Sequence, residues 1–406
     1  MTQSEATELF DPSAPGFIED PYPFYDRLRE ADPLHRTRGV WLATRYEEVL
    51  AVLRDRRFSS RNLAFGSATA EPIPPEALGA LEEVLLVGVL VLSDPPDHTR
   101  LRRLSNRGFV PKIVEGMRPR IQEIVDGLLD EVADGGSMDA VARLALPLPL
   151  IIICDMLGVP LSDRELFAGW MRDIITVSDP NQTAESIGIG FTALQSLREY
   201  FRDLIATRRK TGPRGDVLDE LAAEEEGDRL TEGELLGTCQ TLFIAGHETT
   251  ASFIGNAILS LLRHPDQLRL LREDPSLIRN AVEELLRYDT SVQIAPAPRV
   301  AIEDVDLGVK TIRKGEAVRL FLGSANRDPA QFPHPHRLDL TRREPYHLSF
   351  AGGIHTCLGA PLARAEVQIA ISTLLKRMQR LELASEDLEW EESSTIRALK
   401  ALPVTF

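Results

Sequence analysis

The sequence is poor in cysteine, has no long uninterrupted apolar run and carries no excess of basic residues. Its 406 residues include three cysteines, which are too few for a disulfide framework and lack the spacing of a zinc site. The longest apolar stretch, residues 145–156, is broken by two prolines and contains Asp155, whereas a membrane-spanning helix needs about 20 apolar residues. The net charge of −16 argues against nucleic acid as a main partner. We therefore expect neither a membrane span nor a nucleic-acid-binding protein.

The N-terminal residues MTQSEATELFDP are polar and acidic, and they lack the apolar segment of a signal peptide. We therefore expect a soluble, cytoplasmic protein. Length alone suggests two or three domains, with a large single-core enzyme as the main exception. Hydrophobic residues make up 43% of the chain, which is enough for an extensive core.

The hydrophobic pattern predicts mainly helical structure, with smaller β portions at about 34–46, 299–322 and 390–406. Thr231 and Glu234 have the spacing of a capping box, and an apolar helical pattern continues from there for about 30 residues. Such a helix would be ~45 Å long. Because it is apolar on most faces, it must pass through the centre of the protein.

The middle of this central helix breaks local rules. It reads AGHETT from Ala245 to Thr250, so a glycine and several polar side chains lie in a buried element, where they lower helix stability. A threonine hydroxyl in such a place can bond back to the carbonyl four residues earlier. Local rules broken inside a core element indicate a functional site.

A second unusual stretch is residues 346–366, YHLSFAGGIHTCLGAPLARAE. Cys357 stands among glycines just before a helical pattern that opens near Pro361, where backbone N–H groups and the helix dipole favour a thiolate. A lone cysteine is more often buried and inert, which is our interpretation of Cys154 and Cys239. The glycines around Cys357 let the backbone approach a flat group and favour a ligand role there.

Two charged patterns also have an ordinary explanation. His98 and Arg102 share one face of a basic helix predicted to open near Asp97, and this face is either solvated or an anion site. Glu284 and Arg287 lie three residues apart on another helix, as an ordinary surface pair would. Neither pattern decides the function alone.

Taken together, these pieces resemble a bacterial cytochrome P450, a haem-thiolate monooxygenase, over essentially the whole chain. The loop FAGGIHTCLG is similar to the family pattern F-G-x-G-x-H-x-C-x-G, with Ala351 where glycine is usual. We expect this departure to need a slight backbone adjustment and to leave haem binding intact. AGHETT and ELLR match the family patterns A-G-x-[DE]-T-T and E-x-x-R, and FPHPHRLDL and DPPDHTRLRR resemble two further family segments.

The resemblance implies one domain over residues 1–406, with a mainly α fold, a smaller β portion and a long central helix over a buried haem. It implies that the Cys357 thiolate ligates the iron of haem b. Glu248 and Thr249 match the family's proton-delivery pair, with O₂ as co-substrate. Contacts with the cofactor are implied for His98, Arg102, Arg299, His355, Phe350, Gly359 and Ala245. A structural triad is implied for Glu284, Arg287 and Arg337.

The resemblance also implies a class of substrate and a type of electron donor. It implies insertion of one oxygen atom, by hydroxylation or epoxidation, into a terpenoid, steroid, polyketide or fatty-acid-like molecule of secondary metabolism. The expected pocket is apolar, with Gln293 and His247 as its polar candidates, and is lined by Val87, Leu242, Ala245, Val292, Ile294 and Ile396. We expect a monomer that receives electrons from a ferredoxin and its reductase, because the chain has no flavin or iron–sulfur motif. A basic docking patch for an acidic carrier is expected at Arg103, Arg107, Lys112 and Arg364.

Two alternatives remain open from the sequence. A haem-thiolate enzyme of other chemistry, such as oxidative coupling or peroxide use, would share the cysteine loop but would often lack the Glu248–Thr249 pair. A non-enzymatic haem sensor or carrier would need neither that pair nor a substrate-lined loop.

Overall fold

The computed structural model describes residues 9–61, 90–175, 184–224, 227–343 and 346–406. Its α-helices, numbered in chain order, are α1 Tyr22–Ala31, α2 Tyr46–Arg54, α3 Asp97–Ser105, α4 Pro111–Asp130, α5 Pro147–Leu157, α6 Arg164–Ile175, α7 Ala184–Thr211, α8 Val217–Ala222, α9 Glu232–Leu262, α10 Pro265–Glu273, α11 Ile278–Tyr288, α12 Leu322–Ala325 and α13 Ala360–Arg377. Its strands are β1 Leu34–Thr37, β2 Val40–Ala43, β3 Phe58–Ser59, β4 Ser137–Asp139, β5 Arg299–Ala301, β6 Val305–Asp306, β7 Thr311–Ile312, β8 Ala317–Leu320, β9 Glu382–Leu383 and β10 Pro403–Thr405.

The predicted central helix is α9, which has 31 residues. Its capping box is confirmed, because the Thr231 hydroxyl accepts a hydrogen bond from the Glu234 amide while the Glu234 carboxylate accepts one from the Thr231 amide. Residues 250–261 of α9 are buried without interruption. The helix packs against α5, α7 and α13, so it crosses the helical core as its apolar pattern predicts.

The β portions form small sheets, which contain strands within the predicted ranges and also the strands β3, β4 and β9 outside them. The largest has the strand order β1-β2-β8-β5-β3, with β2 and β8 parallel and the other neighbours antiparallel. A second sheet, β4-β10-β9, joins the C-terminal end of the chain to residues 137–139. The mainly α fold with a smaller β portion is therefore confirmed. None of the described helices combines the length and apolarity of a membrane span.

The buried side chains form three clusters. The largest fills the space between α9 and the surrounding helices, and a second lies under the five-stranded sheet. The third is an aromatic cluster near the N-terminus that includes Phe17, Tyr25 and Phe321. Ile294 belongs to this third cluster and is 1% exposed. Its predicted place in the substrate pocket is therefore wrong.

Candidate active site

The cysteine loop is shaped by its backbone. The Cys357 amide donates to the Phe350 carbonyl at 2.9 Å, which folds the loop back on itself. Gly353 has φ +68, and a Cβ there would lie 2.1 Å from the Leu53 carbonyl oxygen, so no other residue fits. Ala351 also adopts a left-handed conformation, with φ 55, which costs an L-residue about 1 kcal/mol. The usual glycine at this position is thereby explained.

Cys357 is an exposed residue of this loop. The surrounding protein nevertheless desolvates the sulfur and raises the pKa of the thiol. The backbone N–H groups of Gly359 and Ala360 and the charge of Arg102 act in the opposite direction and lower that pKa. Such donors stabilise a thiolate once a cation faces it.

The other two cysteines differ from Cys357 in their surroundings. Cys154 and Cys239 are fully buried in the helical core. Burial raises the pKa of each thiol to about 12, so both remain protonated at neutral pH. The prediction that they are core residues is confirmed.

Basic side chains from distant segments meet beside the cysteine loop. The rings of His98 and His355 lie 4.3 Å apart, and Arg102 donates to the Thr356 carbonyl at 2.6 Å. Burial, together with the charges of Arg299, His98 and Arg102, lowers the pKa of His355 to about 3. The Ser60 hydroxyl lies 2.8 Å from Nε2 of His355, a contact that sequence reasoning missed.

Two of these basic groups lack the partners that buried polar atoms usually have. Nε2 of His98 is buried without a hydrogen bond to the described residues. Arg299 is 5% exposed and donates to the Ala297 carbonyl, but it forms no ion pair with a carboxylate of the described residues. Burial lowers the pKa of Arg299 to about 10. The charge of Asp94 acts on both groups but lies beyond ion-pair distance, so the buried Arg299 guanidinium and the unsatisfied His98 nitrogen favour an anionic ligand.

The turn of α9 that carries the polar cluster is open on one side. Ala245 is exposed, and Glu248 and Thr249 are half-buried, although the helix is buried further along. The Thr249 hydroxyl donates to the Ala245 carbonyl at 2.8 Å, as expected for a back-bonding threonine. Burial, and then the charge of Glu391, raise the pKa of Glu248 to about 7.

The predicted pocket residues divide into several groups. Val292 and Ile396 pair in an antiparallel bridge and are half-buried, while Leu242 is buried in the helical core. Val87 lies outside the described residues. Both polar candidates are buried and make hydrogen bonds to protein groups. His247 is buried with Nε2 3.1 Å from the Leu146 carbonyl, and Gln293 is buried and donates to the Thr290 carbonyl and the Tyr22 hydroxyl.

The structural triad has a different third member from the one predicted. Arg287 donates to both oxygens of Glu284 at 2.7 and 2.8 Å, and both side chains are buried. The second arginine on this carboxylate is Arg342, with Nε 3.1 Å from it and 7% of the side chain exposed. Arg337 is exposed and contributes its backbone carbonyl to Arg287 and Arg342. The prediction of Arg337 was therefore wrong.

The predicted docking patch is largely neutralised by ion pairs. Arg103 pairs with Asp228 at 2.8 Å, Arg107 with Glu220 at 3.4 Å, and Arg364 with Glu283 at 2.6 Å. Lys112 is exposed and forms no ion pair with the described residues. A uniformly basic patch is therefore not present at these four positions. The pattern of positive residues in the sequence could not show that their carboxylate partners lie so far along the chain.

Comparison with known proteins decides the family. The model of the family described as Cytochrome P450 matches residues 80–399. This chain belongs to the cytochrome P450 family. It is 43% identical to the cytochrome P450 monooxygenase PikC of Streptomyces venezuelae, over 96% of this chain and 91% of that protein. It is also 40% identical to the vitamin D(3) 25-hydroxylase of Pseudonocardia autotrophica, over 98% of this chain and 97% of that protein.

A solved structure supports the same assignment. The crystal structure of P450BioI in complex with an acyl carrier protein ligated to hexadec-9Z-enoic acid has a TM-score of 0.87 and 40% identity, covering 96% of this chain and 99% of that one. The chain is thus a P450 monooxygenase with haem as cofactor and O₂ as co-substrate. The residues present fit haem, because the exposed Cys357 follows His355 by two positions, and the His355 ring contacts His98 and lies near the charged Arg299. The unsatisfied His98 nitrogen and the buried Arg299 guanidinium suit the carboxylates of haem.

Proposed function

We propose that Cys357 ligates the haem iron and that the chain inserts one oxygen atom from O₂ into a hydrophobic small molecule. The observation that carries this proposal is the exposed residue Cys357 in a loop whose His355 contacts His98, together with the buried Arg299, which forms no ion pair with the described residues. His98, Arg102, Arg299 and His355 would hold the haem carboxylates, and Phe350, Gly359 and Ala245 would lie against the ring. When bound, haem supplies the activation of O₂.

The cysteine assignment is tested by the absorption spectrum of the reduced carbon monoxide complex. A thiolate-type spectrum is expected for the unaltered protein, and its loss is expected in Cys357→Ser. Cys239→Ser, at a buried core position, is the matched control and should keep the thiolate-type spectrum. A histidine-type spectrum in the unaltered protein would refute the assignment.

Glu248 and Thr249 are proposed to deliver protons. Because the pKa of Glu248 is raised to about 7, its carboxyl group can both accept and release a proton at neutral pH. The Thr249 hydroxyl, which donates to the Ala245 carbonyl, lies on the exposed side of the same turn. Together they would carry protons from solvent to the space beside Ala245.

Thr249→Ala tests this role. The variant is expected to keep its haem but to release more peroxide per reductant consumed, because proton delivery is misdirected. Thr241→Ala is a matched control, since the Thr241 hydroxyl makes the same kind of bond, to the Gly237 carbonyl at 2.7 Å. Equal peroxide yields in the two variants would contradict the proposed role of Thr249.

The substrate is proposed to be hydrophobic, of terpenoid, steroid, polyketide or fatty-acid-like type. The half-buried walls at Val292 and Ile396 are apolar, and the two polar candidates are buried and bonded to Leu146 and Tyr22. One relative is named for vitamin D(3) and the solved structure for hexadec-9Z-enoic acid. These two compounds are suitable probes, and binding is expected to shift the haem absorption band. A chain that responds only to charged, polar compounds would contradict this substrate class.

The electron donor is proposed to be a ferredoxin with its reductase. Membership in the bacterial P450 family supports this donor class, and Lys112 offers an exposed cation in the first turn of α4. Because three of the four expected docking cations are already paired with carboxylates, the rate at which a ferredoxin reduces the protein should depend only weakly on salt concentration. Lys112→Ala is expected to lower the reduction rate at low salt. No reduction by any ferredoxin tested would count against this donor.

A further inference from the structure

The loop that follows α11 contacts the central helix at the turn that carries Thr249. The hydroxyl of Ser291, which is buried, donates a hydrogen bond to the Thr249 carbonyl at 2.8 Å. The hydroxyl of Thr249 itself donates to the Ala245 carbonyl. Thr249 is therefore held at its carbonyl by a distant segment and at its hydroxyl by its own helix.

Ser291 belongs to a short stretch that pairs with the chain near its C-terminal end. The Arg397 amide donates to the Ser291 carbonyl at 2.7 Å. The next residues on each side, Val292 and Ile396, face each other in an antiparallel bridge. The pairing that fixes Ser291 therefore also fixes both proposed walls of the substrate pocket.

A buried ion pair anchors this pairing. Nε of Arg397 donates to Asp289 at 2.9 Å, with the two side chains 7% and 9% exposed. The remaining guanidinium nitrogens donate to the carbonyls of Ile18 and Glu19, each at 2.8 Å. The Tyr22 hydroxyl donates to the same Asp289 oxygen at 2.8 Å. Because a buried charge needs its partner, these contacts give the loop one favoured position.

The central helix is tied to the same anchor at a second point. The side-chain amide of Asn256, which is fully buried, donates to the Arg397 carbonyl at 2.9 Å. Asn256 lies about two helical turns beyond Thr249. The bond from Ser291 to Thr249 and the bond from Asn256 to Arg397 thus hold both ends of these two turns.

We propose that Ser291 is a positioning residue for Thr249 and that the Asp289–Arg397 pair keeps Ser291 against the central helix. This inference rests on the proposed function, because the position of Thr249 affects turnover only if Thr249 directs protons. It also adds to that function a link between proton delivery and the substrate pocket. The turn that delivers protons is linked through one hydroxyl to the pocket wall at Val292, so its position and the shape of the pocket are set together.

Hydrogen–deuterium exchange of the haem-loaded protein tests the proposal without turnover. Ser291→Ala is expected to speed exchange in residues 249–253 about fivefold, the factor that corresponds to the loss of one ordinary hydrogen bond. Ser291→Thr keeps the hydroxyl and should restore slow exchange. Ser260→Ala, which truncates another buried serine of α9, is the matched control. Equal exchange in Ser291→Ala and Ser260→Ala would overturn the proposal.

The ion pair is tested in the same way. Asp289→Asn keeps the shape of the side chain but removes its charge. It is expected to speed exchange in residues 289–293 and 249–253 together. Faster exchange in the first range alone would show that the pair does not act on the central helix.

Turnover gives a second readout. With a ferredoxin, its reductase and hexadec-9Z-enoic acid as probe, Ser291→Ala should raise peroxide released per reductant consumed, part of the way toward the ratio of Thr249→Ala. More peroxide without faster exchange would contradict a positioning role. If Thr249→Ala leaves the ratio unchanged, the proposed role of Thr249 is wrong, and the exchange data still decide what Ser291 does.

Discussion

Replacing Arg342 by alanine should destabilise the fold far more than replacing Arg337, although the family pattern pointed to Arg337. The Arg342 side chain donates to Glu284 and to the carbonyls of Pro333 and His334, at 3.2, 2.9 and 3.3 Å. A hydrogen bond to a charged group contributes about 1.5–3 kcal/mol and a neutral one about 1 kcal/mol. Because Glu284 keeps Arg287, the loss in Arg342→Ala should be about 3 kcal/mol.

Arg337→Ala is the matched control, with the same residue type five positions earlier in the same segment. Its side chain is exposed, and its backbone carbonyl, which Arg287 uses, survives the substitution. Substitutions of this kind usually change stability by less than about 0.5 kcal/mol. The expected loss of stability is therefore clearly larger for Arg342→Ala than for Arg337→Ala.

Urea unfolding of the haem-loaded proteins, followed by haem absorbance and by tryptophan fluorescence, measures the difference. In a thermal scan, unfolding entropy of ~2.1 cal/mol/K per residue over 406 residues makes about 3 kcal/mol equivalent to a Tm lower by about 3 to 4 °C. A double-mutant cycle with Glu284→Gln should show coupling for Arg342 and none for Arg337. Equal midpoints for Arg337→Ala and Arg342→Ala would refute the assignment of the triad.

Three further predictions concern single positions. Ala351→Gly relieves a left-handed alanine and should raise the free energy of unfolding by about 1 kcal/mol, seen as a higher urea midpoint; a lower midpoint would contradict the backbone geometry. With the pKa of Glu248 raised to about 7 by burial and by Glu391, the coupling of reductant to product should change around pH 7. Glu391→Gln should move that change to lower pH, and an unmoved profile would exclude the contribution of Glu391. Burial acts to raise the pKa of Glu283, but hydrogen bonds from Arg364 and His347 lower it from 4.5 to about 2. This carboxylate therefore contributes stability above pH 4.5 that is lost as the pH falls toward 2, and Arg364→Ala should flatten this part of the acid-unfolding curve.

Features that depend on local backbone chemistry could be predicted from the sequence. The capping box at Thr231, the long apolar pattern of α9 and the back-bonding hydroxyl of Thr249 all follow from residue types a few positions apart. The alternation and turn residues of 299–322 likewise identified the strands β5 to β8. In each case the residues that determine the structure are neighbours in the chain, so the pattern contains the information.

The predictions that failed are those that depend on which of two similar side chains points into the protein interior, or on which distant residue it meets there. Arg337 and Arg342 both follow the same proline-rich segment, and only the folded backbone directs Arg342 to Glu284. Ile294 has the same apolar character as Val292, but it packs with the N-terminal aromatic cluster. Asp228 and Glu220, which neutralise Arg103 and Arg107, are more than a hundred positions away in the sequence. No local pattern could have identified these pairs.

The same distinction explains why the sequence predicts a specific cofactor but only a broad class of substrates. The cysteine loop is determined locally, because Gly353 has no room for a side chain and the Cys357 amide folds back to Phe350. The proposed pocket wall at Val292 and Ile396 instead depends on two distant segments, which backbone hydrogen bonds and the buried Asp289–Arg397 ion pair hold together. A change far from the haem at either charged residue should therefore alter which molecules fit, while the cysteine loop and its cofactor remain unchanged.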